Sequence, residues 1–231
     1  MNTVLRREEK YSIQWNEALL FSNKLEQLMH KDEFSKDGSY MVRSLYFDTI
    51  DDKDFFDKIN EQQLRRKIRL RIYDPNDQTA KLELKQKQGV FQKKRSLTIS
   101  KQDANRLIVG DISVLLGYNS DFANEIYSIM CMECYKPKTI VEYKRKAFMA
   151  KENQIRLTFD SNIRANESCF DLFNEDLLLH PVLDVNNVIF EVKYNQFMLS
   201  YISDMISSVD RRSVSSSKYC LGRSVGYPLY L

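Results

Sequence analysis

Residues 65–73, RRKIRLRIY, separate into two chemistries when read with a period of two. Arg65, Lys67, Arg69 and Arg71 fall on one side, and Arg66, Ile68, Leu70 and Ile72 on the other. Successive side chains of an extended strand point to opposite faces, whereas a helix would scatter both sets around its axis. The stretch therefore reads as a strand with one face nearly all cation and the other mostly aliphatic.

Working outward, the same division returns in AKLELKQK, where Lys81, Glu83, Lys85 and Lys87 oppose Leu82 and Leu84. In FQKKRSL, Lys93 and Arg95 share a side, and at the N-terminus Arg6, Glu8 and Lys10 alternate against Arg7, Glu9 and Tyr11. Later segments add Arg145 in VEYKRKAF, and Arg156 with Asp160 in QIRLTFD. VIFEVKY adds Glu191 and Lys193; Ile189 shares their parity, and Val188, Phe190, Val192 and Tyr194 oppose them. Alternation of this kind marks eight expected strands, at 4–13, 41–49, 65–73, 79–88, 91–99, 138–148, 153–163 and 187–194.

Between the strands lie five stretches of helical period, Trp15–His30, Asp51–Gln62, Ser100–Leu107, Phe122–Cys134 and Met198–Val209, the third opened by Ser100 as N-cap. The polar stretch Ser213–Ser217 reads as a closing loop before the basic SKYCLG segment. For any single strand, a solvated outer face explains alternating charge. For eight it does not, because the helices need the apolar faces to pack on, which turns the charged faces the other way. The expected fold is α+β, an eight-stranded antiparallel β-barrel with helices packed outside. A barrel of that size can hold a ligand in its interior.

Cations confined in such a space repel one another by roughly 3 kcal/mol per pair at ~6 Å and an effective dielectric near 20. A bound polyanion removes that penalty. Arg offers bidentate contacts to phosphate and Lys a mobile point charge, so the mixture suits a linear, multiply charged anion. There is no GxxxxGK[ST] or GxGxxG stretch, so side chains rather than a Gly-rich loop must hold the phosphates.

The 231 residues suit one domain, 1–231, and 43% hydrophobic content supplies a core. Because 35 Lys and Arg stand against 32 Asp and Glu, net charge is only +3, and an anion site must come from arrangement rather than excess. This disfavours nucleic acid as partner, as does a closed tunnel. No apolar run approaches a membrane span and no secretory leader is evident, so a cytoplasmic, reducing location is expected. Cys131 and Cys134 form a CMEC pair, but Cys169, Cys220, His30 and His180 are scattered singly, so a structural zinc site is not expected.

The ordered series RREEKY, VRSLYFDT, RRKIRLRIY, LELKQK, KKR, VEYKRKAF, QIRLTFD, FEVKY and SKYCLG, spanning residues 6 to 222, resembles the VTC domain, the polyphosphate polymerase branch of the triphosphate tunnel metalloenzymes. The resemblance implies transfer of the γ-phosphate of ATP to a growing polyphosphate chain, with Mn²⁺ or Mg²⁺ as cofactor. It implies that Glu191 is a metal ligand, joined by Glu8. Lys10, Arg69, Lys218 and Glu191 are the implied catalytic set. Lys10, Lys67, Arg69, Arg71, Lys85, Lys93, Arg95, Arg145, Arg156, Lys193, Ser217 and Lys218 are the implied substrate-binding set. Ser215 stands where some relatives carry a Lys, which bears on catalytic efficiency. Hydrolytic relatives of the CYTH type open with E-x-E-x-K, whereas this chain has Arg6-x-Glu8-x-Lys10, which favours polymerisation over hydrolysis of triphosphate. A polyphosphate-binding module without turnover is the third reading.

Overall fold

The structure is a computed structural model, and it describes residues 6–35, 38–89, 91–150, 152–215 and 217–224. The first two positions of the expected 4–13 strand and the side chain of Arg6 lie outside the described part.

In chain order the elements are β1 (Arg6–Gln14), α1 (Trp15–Leu28), β2 (His30–Lys31), β3 (Tyr40–Asp48), α2 (Lys53–Ile59), β4 (Leu64–Ile72), β5 (Thr79–Gln88) and β6 (Phe91–Ser100). They continue with α3 (Lys101–Ile108), α4 (Asp121–Met132), β7 (Lys136–Met149), β8 (Arg156–Asn166), β9 (His180–Pro181), β10 (Asn187–Asn195), α5 (Ser200–Ser207), β11 (Arg212–Ser213) and α6 (Lys218–Arg223). All eight expected strands are present as the long ones. Three two-residue strands, β2, β9 and β11, bring the described sheet to eleven rather than eight. They are too short to carry an alternation, which is why the sequence does not announce them.

The hydrogen-bonded order is β11-β1-β10-β8-β7-β3-β4-β5-β6, with β2 on β7 and β9 on β8. Among the described residues no pairing joins β6 to β11, so hydrogen bonds do not close this sheet. Alpha-carbon proximity groups the chain into two compact units, Met1–Met41 with Tyr143–Ile163 and Leu183–Ser216, and Val42–Glu142 with Arg164–Val182 and Ser217–Leu231.

In the first unit, β1 pairs with β10 from Arg6↔Asn195 to Gln14↔Asn187, and β10 pairs with β8 from Ile189↔Asp160 to Lys193↔Arg156. One face of these strands presents Ile13, Leu157, Phe159, Val188, Phe190 and Val192 to Ala18, Phe21 and Leu25 of α1 and to Ile202 and Ile206 of α5. Phe159 and Phe190 stack with centroids 4.9 Å apart, and Phe21 meets both edge-on. Burying each such side chain contributes about 1.5–3 kcal/mol, enough to fix which parity faces the helices.

In the second unit, β3, β4, β5 and β6 form a meander. Its apolar face, with Leu45, Phe47, Ile68, Leu70, Ile72, Leu82, Leu84 and Ile99, is covered by Ala104 and Leu107 of α3, by Ala123, Ile126 and Met130 of α4, and by the 3-10 turn Ile112–Gly117. Ser100 caps α3 as expected, its hydroxyl accepting from the Asp103 amide at 3.0 Å. The helices thus cover one sheet face in each unit and leave the charged parity uncovered by that core. Among the described residues no helix is long and apolar enough to cross a membrane.

Candidate functional site

In the first unit the charged parity gathers around Glu191, which is only 5% exposed. Residues paired across an antiparallel ladder share a face. The register Lys10↔Glu191↔Thr158 and Glu8↔Lys193↔Arg156 therefore sets six polar side chains side by side. Glu191 lies 2.9 Å from Lys193 Nζ, 3.7 Å from Lys10 Nζ and 3.7 Å from an Arg145 Nη. Lys10 in turn lies 3.2 Å from Glu8.

Arg145 is held by the buried Asp160 through two parallel bonds, Nε at 2.6 Å and Nη2 at 2.7 Å. Burial opposes its charge, but Asp160, Tyr143 and Glu191 outweigh burial and raise the guanidinium above its ordinary pKa. Arg156 donates to Asp32 at 2.5 Å and to the Tyr40 hydroxyl at 3.1 Å. Four cations here, Lys10, Arg145, Arg156 and Lys193, face the acids Glu8, Asp32, Asp160 and Glu191, so this half is nearly balanced.

In the second unit the charged face of β4, β5 and β6 is not balanced. The register Tyr46↔Arg69↔Glu83↔Ser96 places Glu83 among cations. Its carboxylate accepts from Arg69 Nε at 2.7 Å and lies 2.6 Å from Lys94 Nζ and 3.9 Å from Arg71. Burial would raise its pKa, yet Arg69, Arg71 and Lys94 prevail and hold it down to about 2. Arg69 also donates to the Tyr46 hydroxyl at 3.0 Å. Burial alone would raise the phenol of Tyr46, and Arg69, Arg71 and Lys218 reverse that and lower it. One row further along, Lys67, Lys85 and Lys94 stand directly beside one another on three strands.

The ladder corrects one part of the sequence reading. Lys93 and Arg95 pair with Gln86 and Leu84, so they lie on the helix-covered face, and Lys94 is the β6 cation that shares the face of Lys67 and Lys85. Arg95 fastens α4 instead: it donates to Glu125 and Gln86 and stacks over Phe122 at 5.2 Å. Arg66, the odd cation on the aliphatic parity, has a similar use, bonding the Tyr135 hydroxyl at 2.7 Å and pairing with Glu133.

The expected closing loop ends in a helix. Ser217 caps α6, its hydroxyl accepting from the Cys220 amide at 3.4 Å and from Lys67 Nζ at 2.6 Å. Lys218 is the first residue of α6, and the next, Tyr219, donates to Asp48 Oδ2 at 2.5 Å and stacks on Tyr46 with centroids 5.2 Å apart. Asp48 is fully buried and also accepts from the amides of Thr49, Asp54 and Phe55, fixing the start of α2. At its other end α6 is anchored by Arg223, bidentate to Asp52 at 2.7 and 2.9 Å. Two motifs distant in sequence, LYFDT and SKYCLG, thus dock together and set the place of Lys218. The helix lies so close to β7 that a Cβ on Gly222 would come within 2.5 Å of Val141 Cγ2. Gly222→Ala is expected to cost about 1–3 kcal/mol by overpacking, read as a lower denaturant midpoint at unchanged slope.

Beside this docking lies Asp54, whose carboxyl is pushed up to about 7 by burial and by the charge of Asp48, against a hydrogen bond from Tyr135 and the charge of Arg66. A carboxyl whose pKa rises on folding lends stability that is complete below its ordinary pKa near 4 and is lost as pH climbs through the folded value. Between pH 4 and 7 the protein should therefore lose up to ~4 kcal/mol from this group. Asp54→Asn, which keeps an acceptor for Tyr135, should flatten that part of the stability profile. Parallel profiles for the two proteins would show that Asp54 is already ionised at pH 5.

For a metal, the described residues hold no group of three or more carboxylate, imidazole or thiol side chains. Glu8 and Glu191 nonetheless converge on one ammonium, Lys10, at 3.2 and 3.7 Å. Next to Glu191 the hydroxyl of Thr158 is buried without a hydrogen-bond partner. This donor set fits Mg²⁺ or Mn²⁺ carried in with phosphate oxygens, which need only one or two protein carboxylates. It does not fit an all-protein cage.

The fold so described recurs in two solved structures. An adenylyl cyclase candidate from Hippeastrum, reported to have a dominant triphosphatase activity, aligns over 94% of this chain and 95% of its own, with 14% identity and a TM-score of 0.59. An adenylate cyclase candidate from Bacillus halodurans aligns over 94% of each chain, with 12% identity and a TM-score of 0.53. At these identities the likeness is one of fold alone. Residues 5–227 match the VTC domain, and the chain belongs to that family. A comparison with curated proteins gives no match.

Proposed function

We propose that this chain is a polyphosphate polymerase that moves the γ-phosphate of ATP onto the end of a polyphosphate chain. The observation that carries the reading is the uncovered parity of β4, β5 and β6, where Arg65, Lys67, Arg69, Arg71, Lys81, Lys85, Lys87 and Lys94 share a face whose strand positions carry one acid, Glu83. Such a face suits a chain of phosphates.

In this reading Lys67, Arg69, Arg71, Lys85, Ser217 and Lys218 grip substrate phosphates, and Lys94 takes the part first expected of Lys93 and Arg95. Lys10, Arg145, Arg156 and Lys193 hold phosphate beside Glu191. An oxygen of the chain's terminal phosphate attacks the γ-phosphorus, the bond to the β-bridging oxygen breaks, and ADP leaves. Arg69 and Lys218 neutralise charge on the phosphates that they hold, and Lys10 does the same beside Glu191. Mg²⁺ or Mn²⁺, held by Glu191 and Glu8, would supply further charge neutralisation. The four unpaired cysteines suit a reducing, cytoplasmic setting.

Hydrolysis is the second reading, favoured by the triphosphatase activity reported for the Hippeastrum neighbour. Incubation with ATP and Mn²⁺, resolved on a gel, should show lengthening polyphosphate; release of free phosphate without chain growth would reverse the choice. Binding can be checked separately. Tripolyphosphate at 100 times its dissociation constant should add ~2.7 kcal/mol and raise Tm by about 5–10 °C. An equal rise with sulfate at matched ionic strength would argue against a phosphate-chain site.

A further inference from the structure

Two of the four cysteines, Cys131 and Cys134, stand together where α4 ends, and backbone hydrogen bonds define the turn that holds them. The Tyr135 amide donates to the Met130 carbonyl at 3.0 Å and the Cys134 amide to the Cys131 carbonyl at 3.4 Å, the two nested bonds of a Schellman cap. Cys134 takes the left-handed position of that cap at φ +51°, where glycine is the usual residue because a side chain is strained there. For the turn alone glycine serves better, so a thiol at this position points to a use for the sulfur. Met130 and Tyr135 close the cap from within, both buried in the core that covers the meander. The turn is also held from outside α4. Tyr135 donates to Asp54 at 2.8 Å and accepts from Arg66 at 2.7 Å, and Glu133 pairs with Arg66.

An N–H···O bond between residues three apart closes a turn that brings their α-carbons within about 7 Å. A disulfide bridges α-carbons roughly 4.4–6.8 Å apart. Cys134 Sγ lies 3.9 Å from the Cys131 carbonyl oxygen, so its side chain turns back over the residue that it would bridge. Both thiols are exposed, whereas Cys169 is half-buried and Cys220 buried. Cys134 also lines a groove of about 650 Å³ between the start of α2 and the end of α4, walled by Ile50, Lys53 and Met132.

We infer that Cys131 and Cys134 form a redox-active dithiol, a modification site for small disulfides of the glutathione class. The Cys134 thiolate attacks one sulfur of the disulfide RSSR; a Cys134–SR bond forms and RS⁻ leaves. The Cys131 thiolate then attacks Cys134 Sγ, the Cys131–Cys134 bond forms, and the second RS⁻ leaves. The protein gives up two electrons and two protons, and RSSR becomes two RSH. Because the cap already holds the two residues in register, ring closure costs little chain entropy. A pair at a helix C-terminus also lacks the N-terminal dipole that stabilises a thiolate and makes some such pairs strong oxidants, so this disulfide, once formed, is not readily given up. The inference is independent of the phosphate-chain reading.

The test treats the folded full chain with oxidised glutathione, alkylates the remaining thiols after denaturation and maps them by peptide mass spectrometry. In wild type the peptide holding Cys131 and Cys134 should appear two hydrogens lighter and unalkylated, with Cys169 and Cys220 alkylated, and dithiothreitol should reverse the change. Cys131→Ser should stop at the glutathione adduct on Cys134. Against a glutathione buffer, the equilibrium constant for forming the Cys131–Cys134 bond should be at least tenfold larger in the folded chain than in concentrated urea. A wild type that halts at the adduct, or an equal constant folded and unfolded, would overturn the dithiol. So would oxidation of Cys169 or Cys220 at the same rate. The serine lies at an exposed position, so Cys131→Ser should melt within about 2 °C of wild type. If it unfolds, the wild-type product and its folded-to-unfolded ratio decide the matter without it.

Discussion

Asp160→Ala should destabilise this protein by about 3–5 kcal/mol, the cost of leaving a buried cation without its partner. Asp160 is wholly buried, and its two oxygens accept the two donors of Arg145, itself 6% exposed. Neither group can recover its lost bonds from water. In a chain of this size the loss corresponds to a fall in Tm of roughly 10 °C. Glu191, 3.7 Å from the same guanidinium, is the nearest acid left, so Arg145 should swing to it and take it out of use. The variant should then be both unstable and inactive. Adding Arg145→Met removes the orphaned charge and should restore most of the stability, though none of the activity, because replacing both ends of a buried pair with apolar groups is often neutral. A single variant melting within about 2 °C of wild type would mean that water reaches Arg145.

Much of this arrangement can be read from the sequence, and the part that cannot has a physical reason. Alternation fixed the parity of β4, β5 and β10 correctly because each carries aliphatic side chains that only a helix-covered face can accept, Ile68 and Leu70, Leu82 and Leu84, Val188 and Phe190. In β6 the run Lys93, Lys94, Arg95 has cations on both parities, so residue chemistry does not choose between them. Geometry does: a two-residue link joins Gln88 to Phe91, and counting back along the ladder brings Lys94 opposite Lys85. Gly89 at φ +56°, opening that link, is the sequence signal for such a turn. Tyr46, Asp48 and Tyr219 are not recognisable as a group at all, since 171 residues separate the tyrosine and the aspartate that it bonds. Short range also hides α6. Six residues make too little period to read, and tertiary anchors at Asp48 and Asp52 hold it rather than propensity.

On the proposed chemistry, Glu191→Gln should lower kcat by at least 100-fold, about 2.7 kcal/mol of transition-state stabilisation, while leaving substrate bound. Gln keeps the shape and removes one negative charge from the face shared by Lys10, Lys193 and Arg145. Three cations then repel with less to offset them, so the face becomes more attractive to phosphate. Tripolyphosphate measured without divalent metal should bind as tightly as to wild type or more so. Addition of Mn²⁺ should no longer enhance turnover, since Glu8 alone offers one carboxylate where the proposed site uses two. These signs separate the two roles that Glu191 could have. A residue that merely held Lys193 and Lys10 in place would, when changed, loosen substrate binding along with turnover and lower Tm, because its cations would lose their positions. A variant retaining more than about a third of wild-type kcat, well inside the predicted loss, would remove Glu191 from the reaction and leave it as an ion-pair partner of Lys193.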